Sequence, residues 1–128
     1  MSRLVQDAAL TVSKALPAAG ASNTCDAFEI GNGDSVEQAE LEVSTPTLAA
    51  LADDKSLTFE LVTGSTSSPS TVLQRIHVLT GAGGAGVAAT TKRVRIPSNA
   101  DKYIAVKCTE DGSGGDVTGS SYTVKLLS

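Results

Sequence analysis

The 128-residue sequence has no tryptophan, one histidine, two cysteines and only 3% aromatic residues, two Phe and two Tyr. Each scarcity removes a class of function. Sugar and base platforms stack their ligands on rings, and this chain has few rings to offer. His77, the single histidine, cannot build a metal cluster with cysteines that lack C-x-x-C spacing. As a general base it would need a nucleophile and an orienting acid. Cys25 and Cys108 are too few for a disulfide scaffold. Both sit in apolar, strand-like runs and read as buried free thiols, with one bridge between distant strands as the alternative. No run approaches the roughly 20 apolar residues of a membrane span. Asp7 and Lys14 interrupt the N-terminal apolar stretch, so no secretory leader is expected and synthesis in a cytoplasm is. Ten Lys and Arg against 14 Asp and Glu leave a net charge of −4, which disfavours the counterion release that drives nucleic-acid binding.

The chain has instead 41% hydrophobic residues, enough for one folded domain with an aliphatic core. Turn signals recur every 10 to 15 residues, with β-branched runs between them, the pattern of a sandwich or barrel. In 36–44, Ala39, Leu41 and Val43 alternate with Gln38, Glu40 and Glu42. In 56–63, Leu57, Phe59 and Leu61 alternate with Thr58 and Glu60. In 72–79, Gln74, Ile76 and Val78 face one way, Arg75 and His77 the other. Residues 91–96, 102–109 and 117–127 continue the series, and 24–30 and 9–12 precede it. The linkers 31–34, 64–70, 81–86 and 111–115 are rich in Gly, Ser or Asp. Residues 47–54, entered after Pro46, are the one plausible helical turn.

These features predict an all-β fold: an antiparallel two-sheet, jelly-roll-like sandwich of seven or eight short strands with an N-terminal arm. The arm is placed at 1–20 and the sandwich at 21–128. Residues 1–16 could be a helix, on which Leu4, Ala8 and Val12 would share a face, or equally an extended arm, and the arm is the preferred reading. The expected core is Leu41, Val43, Leu57, Phe59, Leu61, Ile76, Val78, Ile104, Val106 and Val124.

The candidate motifs resolve into bland readings. Gly81-Ala82-Gly83-Gly84-Ala85-Gly86 matches G-x-G-x-x-G, with Asp101 downstream. A dinucleotide site would need a helix after Gly86, whereas Val87-Ala88-Ala89-Thr90-Thr91 leads into a charged strand. The run reads as a hairpin loop, and no cofactor is expected. Gly33-Asp34-Ser35 lacks any further esterase block. Glu110, Asp111 and Asp116 flank a glycine turn without calcium-loop spacing. His77 reads as a solvent- or interface-facing strand residue. Lys92, Arg93 and Arg95 could meet an acidic partner surface. No metal and no catalytic residue is expected.

The order of the pieces carries a resemblance. Leu16-Pro17-Ala18-Ala19-Gly20-Ala21-Ser22-Asn23-Thr24 leads into a strand, and Gly31-Asn32-Gly33 opens another rich in outward Glu. Thr45-Pro46-Thr47-Leu48-Ala49-Ala50-Leu51-Ala52-Asp53-Asp54 follows, then the glycine loop, the Arg95-Ile96-Pro97 exit, Tyr103-Ile104-Ala105-Val106 and Gly114-Gly115. This resembles the jelly-roll cement, or decoration, proteins of tailed bacteriophages. The resemblance implies a non-enzymatic structural protein on the outer surface of the virion. Its expected partners are the major capsid protein and itself, as a homodimer or homotrimer, with no nucleic acid and no membrane. A surface β-sandwich of adhesin or carbohydrate-binding type is the alternative. Leu4, Val5, Leu10, Val12 and Leu16 of the arm, Gly81, Gly83 and Gly86 of the loop, and Lys92, Arg93 and Arg95 are the expected contact residues. The arm is too apolar for a free tail, and the loop has so little side chain that it can lie flat on another backbone.

Overall fold

In a computed structural model, residues 11–18, 20–30, 40–97, 99–110 and 117–127 are described. They contain nine strands: β1 (Thr11–Ala15), β2 (Ser22–Thr24), β3 (Phe28–Glu29), β4 (Glu40–Thr45), β5 (Ser56–Gly64), β6 (Thr71–Thr80), β7 (Thr90–Arg95), β8 (Tyr103–Glu110) and β9 (Ser121–Leu127). A four-stranded sheet has the order β1-β9-β4-β7, and a five-stranded sheet has the order β2-β8-β5-β6 with β3 also on β8. Every named pairing is antiparallel. Both β2 and β3 run along β8, so they act as one strand interrupted at Cys25–Ala27. Counting them once leaves eight strands, in the orders 1-8-3-6 and 2-7-4-5. That interleaving is a jelly roll, in which chain-distant strands become neighbours. The all-β, two-sheet reading of the sequence holds.

Period-two alternation places the core. Leu41 and Val43 on β4, Leu57, Phe59 and Leu61 on β5, Ile104 and Val106 on β8 and Val124 on β9 are fully buried between the sheets, and Ile76 is nearly so. Val78 is a correction, since it is 38% exposed. On β6 the partner of Phe59 is His77 but the partner of Glu60 is Arg75, so Ile76 is an extra residue; Leu73 is a second, between Gln74 and Val72. A bulge reverses the facing of the residues beyond it. Leu79, His77 and Ile76 therefore turn inward, and Val78 stands outside beside Thr58.

Two further expectations change. Residues 47–54 form turns rather than a helix. Leu51 N–H reaches the Leu48 carbonyl at 3.3 Å, but Leu48 and Val87 then exchange backbone hydrogen bonds of 2.8 and 3.2 Å, which draw the chain across to the next loop. The C-terminal part of the supposed arm is a strand of the sandwich. β1 pairs with β9 from Thr11↔Lys125 to Ala15↔Ser121, and Leu16 is buried in the core. Residues 1–10, the turns 31–34 and 111–115, Asp116 and the Gly33-Asp34-Ser35 triplet lie outside the described residues.

Candidate interaction surface

The glycine loop is docked onto its own chain. Gly81 N–H donates to the Lys55 carbonyl at 3.0 Å, and Asp54 N–H donates to the Gly81 carbonyl at 3.0 Å. Gly84 N–H donates to Asp53 Oδ1 at 2.8 Å. Gly81 and Gly86 are buried because the backbone of 48–52 passes directly over them. A Cβ on Gly81 would meet the carbonyl oxygens of Ala52 and Leu51, and one on Gly86 would meet that of Leu48. The sequence reading expected a side-chain-free loop to lie flat on another backbone. It does, but that backbone is Leu48–Ala52 of the same molecule. Only Gly83 of the three proposed contact glycines stands in open space, so Gly81 and Gly86 are withdrawn as contact residues.

Leu16 is corrected for the same reason: at 2% exposure it fills this chain's own core. Val12 is half-buried against that core. Leu4, Val5 and Leu10 lie outside the described residues.

The three basic residues of β7 do not form one patch, because neighbours on a strand point to opposite faces. Arg93 lies on the outer face, 3.3 Å from Glu42 and 4.0 Å from Glu40, with Arg95 in register with Glu40. Lys92 pairs in register with the inward Val43, which sends its ammonium toward the margin between the sheets, where its charge acts on His77. The same outer face carries Lys125, in register with Glu42, and a hydroxyl row crossing all four strands, Ser13, Thr123, Ser44 and Thr91. Ser13 and Thr123 hydroxyls lie 3.1 Å apart, and Thr91 Oγ1 donates to Ser44 Oγ at 3.4 Å. These short side chains are hydrogen-bonded in two pairs across the strands.

The reactive groups point the other way. His77 stacks on Phe59, with ring centroids 5.0 Å apart at 13°. Both its ring nitrogens are buried without a hydrogen-bond partner. The sequence read His77 as solvent- or interface-facing; the ring of this half-buried residue instead turns inward onto Phe59, and the cause is the bulge at Ile76. Burial, and then the charge of Lys92, hold the imidazole below its usual 6.5. Cys25 and Cys108 are free and buried. Loss of water raises their thiols to about 11 and about 12 respectively, with the Glu110 charge adding to the effect at Cys108, so neither is a thiolate near neutrality. Buried Tyr122, whose hydroxyl donates to Asn23 Oδ1 at 2.9 Å, is likewise pushed upward by desolvation. The described residues contain no group of three or more His, Cys, Asp or Glu able to hold a metal ion, and no helix long and apolar enough to cross a membrane. A groove of about 550 Å³ lies between Thr24–Ala27 and Ser67–Pro69, lined by hydroxyls, Asp26 and the buried Cys25.

The His77 geometry sets a pH dependence. The unfolded imidazole titrates near 6.5 and the folded one lower. Between those two values the unfolded chain binds more protons, so stability falls as pH drops through that window. His77→Phe keeps the stack on Phe59 and removes the two orphaned nitrogens. The variant is expected to be more stable at about pH 7.5, with the gap widening at about pH 5. Paired thermal melts at the two pH values check this, and a gap that does not widen would show that His77 is not the titrating group.

No family model and no curated protein matches the sequence. Among solved structures, the fold is similar to that of Bacillus endospore appendages, described as a novel family of disulfide-linked pili. The TM-score is 0.53 at 14% identity, covering 97% of this chain and 86% of that one. Structures of infectious bursal disease virus Gt strain and of an infectious bursal disease virus VP2 subviral particle also match, with TM-scores of 0.43 and 0.41 at 14% and 12% identity. They cover 98% and 91% of this chain, which spans about a third of theirs. At such identities the appendage likeness concerns the β-sandwich fold.

Proposed function

We propose that this chain is a structural surface subunit: a cement, or decoration, protein that binds the outside of an assembled tailed-phage capsid and clamps neighbouring major capsid subunits. The observation that carries the reading is the division of chemistry between inside and outside. The titratable His77, Cys25, Cys108 and Tyr122 are turned into the sandwich, while a bonded hydroxyl row and short ion pairs face out. The sequence resemblance set out above points the same way. A small rigid clip with a modest interface holds a lattice when many copies act together. Its contacts with the capsid or with sister subunits would fall on residues 2–10, on Gly83 at the loop tip and on the Arg93–Arg95 face.

The test is cosedimentation of the purified protein with expanded capsids. The informative deletion removes residues 2–10 and stops before β1, because a longer one would take away a sheet strand and the buried Leu16. Saturable binding by the full chain, weakened at least about tenfold in the deletion, is the expected result. Absence of binding to any expanded capsid, with binding to a glycan array instead, would replace this reading by the surface binding module, with the groove at Ser67–Pro69 as its site. The likeness to an appendage pilus subunit favours a second structural reading, a subunit of a fibre, which electron microscopy of concentrated protein would reveal as filaments.

A further inference from the structure

The only exposed large hydrophobic side chains among the described residues are on one strand: Val72, at 47%, and Val78, at 38%. That strand, β6, is ten residues long and forms an edge of the five-stranded sheet. β5 occupies one side of it, and no described strand occupies the other. An open edge presents unpaired N–H and C=O groups, and apolar residues on it invite another strand. The register with β5 places Val78 at Thr58, Arg75 at Glu60 and Val72 at Val62, every second position of β5. The outer face of this edge therefore reads apolar, cationic, apolar, with Arg75 exposed. The other edge on this side of the sandwich, β7, carries Lys92, Arg93 and Arg95, the kind of charge that discourages strand addition.

The chain contains a segment of complementary order. In residues 1–10, Val5, Asp7 and Ala9 stand at every second position and read apolar, acidic, apolar. Laid antiparallel on β6, with Ile76 and Leu73 passed over as they are by β5, that order sets Val5 at Val78, Asp7 at Arg75 and Ala9 at Val72. Opposite charges facing each other across a strand pair are favourable, and apolar pairs add to them. The segment's own sandwich is poorly placed to receive it. β1, which begins at Thr11, is the edge of its sheet remote from β7, and β6 lies beside β7. Three strand spacings, about 14 Å, separate the two edges. Crossing them would consume about four extended residues, counted back from Thr11 the residues 7–10, so Asp7 and Ala9 could not reach β6. A neighbouring molecule's segment has no such detour.

We propose that residues 4–10 of one copy add as an antiparallel strand to the β6 edge of a second copy, with Asp7 paired to Arg75. The contact joins different patches on the two molecules, so it is head-to-tail and builds rings or open chains. It covers Val72 and Val78 and completes the hydrogen bonding of the exposed edge.

Light scattering on the full chain across a dilution series tests this, using Asp7→Arg, Arg75→Asp and the double exchange. The unaltered chain is expected to associate beyond the monomer. Each single exchange should weaken association by about tenfold or more, because like charges then face each other, and the double exchange should restore it. Circular dichroism establishes that each variant is folded. A wild-type chain that stays monomeric, single exchanges that associate normally, or a double exchange that fails to restore association would each overturn the proposal. Intact association after removal of residues 2–10 would do the same. Capsid binding is read separately, so a monomeric chain that still decorates capsids sinks this inference and leaves the cement reading standing.

Discussion

Gly86→Ala is expected to cost more than about 3 kcal/mol, a large share of the 5–15 kcal/mol, roughly, that holds a domain of this kind together. Two independent effects combine at this residue. Its φ is +72°, a conformation that costs an L residue about 1–2 kcal/mol. A Cβ would also meet the Leu48 carbonyl and come within 2.7 Å of the Ala49 Cα. Backbone cannot yield as a side-chain tip can, so the two loops must part. The pair of hydrogen bonds between Leu48 and Val87 is then at risk, each contributing about 1 kcal/mol. The neighbouring glycines separate the two effects. Gly83 has φ +66° with open space around its missing Cβ, so Gly83→Ala should cost only about 1 kcal/mol. Gly81 is not among the positive-φ residues but lies 2.6 Å, at its would-be Cβ, from the Leu51 carbonyl oxygen; Gly81→Ala measures close approach alone. Urea melts of the three variants check the order. Equal losses at Gly83 and Gly86 would show that the loop is not docked on Leu48–Ala52.

Phe59→Ala is expected to cost about 3–5 kcal/mol, the range for emptying a large aromatic site in a core. Phe59 is fully buried at the centre of the sandwich. It stacks on His77 and meets Tyr122 edge-on, with centroids 5.4 Å apart at 70°. Its neighbours in register are Cys108 on β8 and His77 on β6. β-sheet backbones cannot collapse readily into the resulting void, which places the cost in the upper part of that range. Removing the ring should also admit water to His77, so that the imidazole regains a pKa nearer its ordinary value, observable by NMR titration. A loss below about 1 kcal/mol in denaturant melts would show that Phe59 is not a core residue.

Local chemistry determined much of this protein. Alternation in Leu41-Glu42-Val43 and Leu57-Thr58-Phe59-Glu60-Leu61 specifies strands with one buried face, because side chains on a strand alternate whatever their partner. Short β-branched runs separated by glycine and serine turns specify an all-β body, and scarce aromatics specify an aliphatic core. The tertiary structure decided what depends on partners distant in sequence. The two extra residues of β6 exist only relative to β5, so no pattern within 72–79 could show that Val78 turns out and His77 turns in. Arg93 and Lys92 look like one basic cluster until β4 supplies Glu40 and Glu42 on one face and Val43 on the other. Leu16 looks like part of a loose arm until β1 pairs with β9, more than a hundred residues away. The glycine loop showed its lack of side chains in the sequence. What it lies against was settled by the 48–52 turn, because close backbone approach is a property of two segments and only one of them carries the glycines.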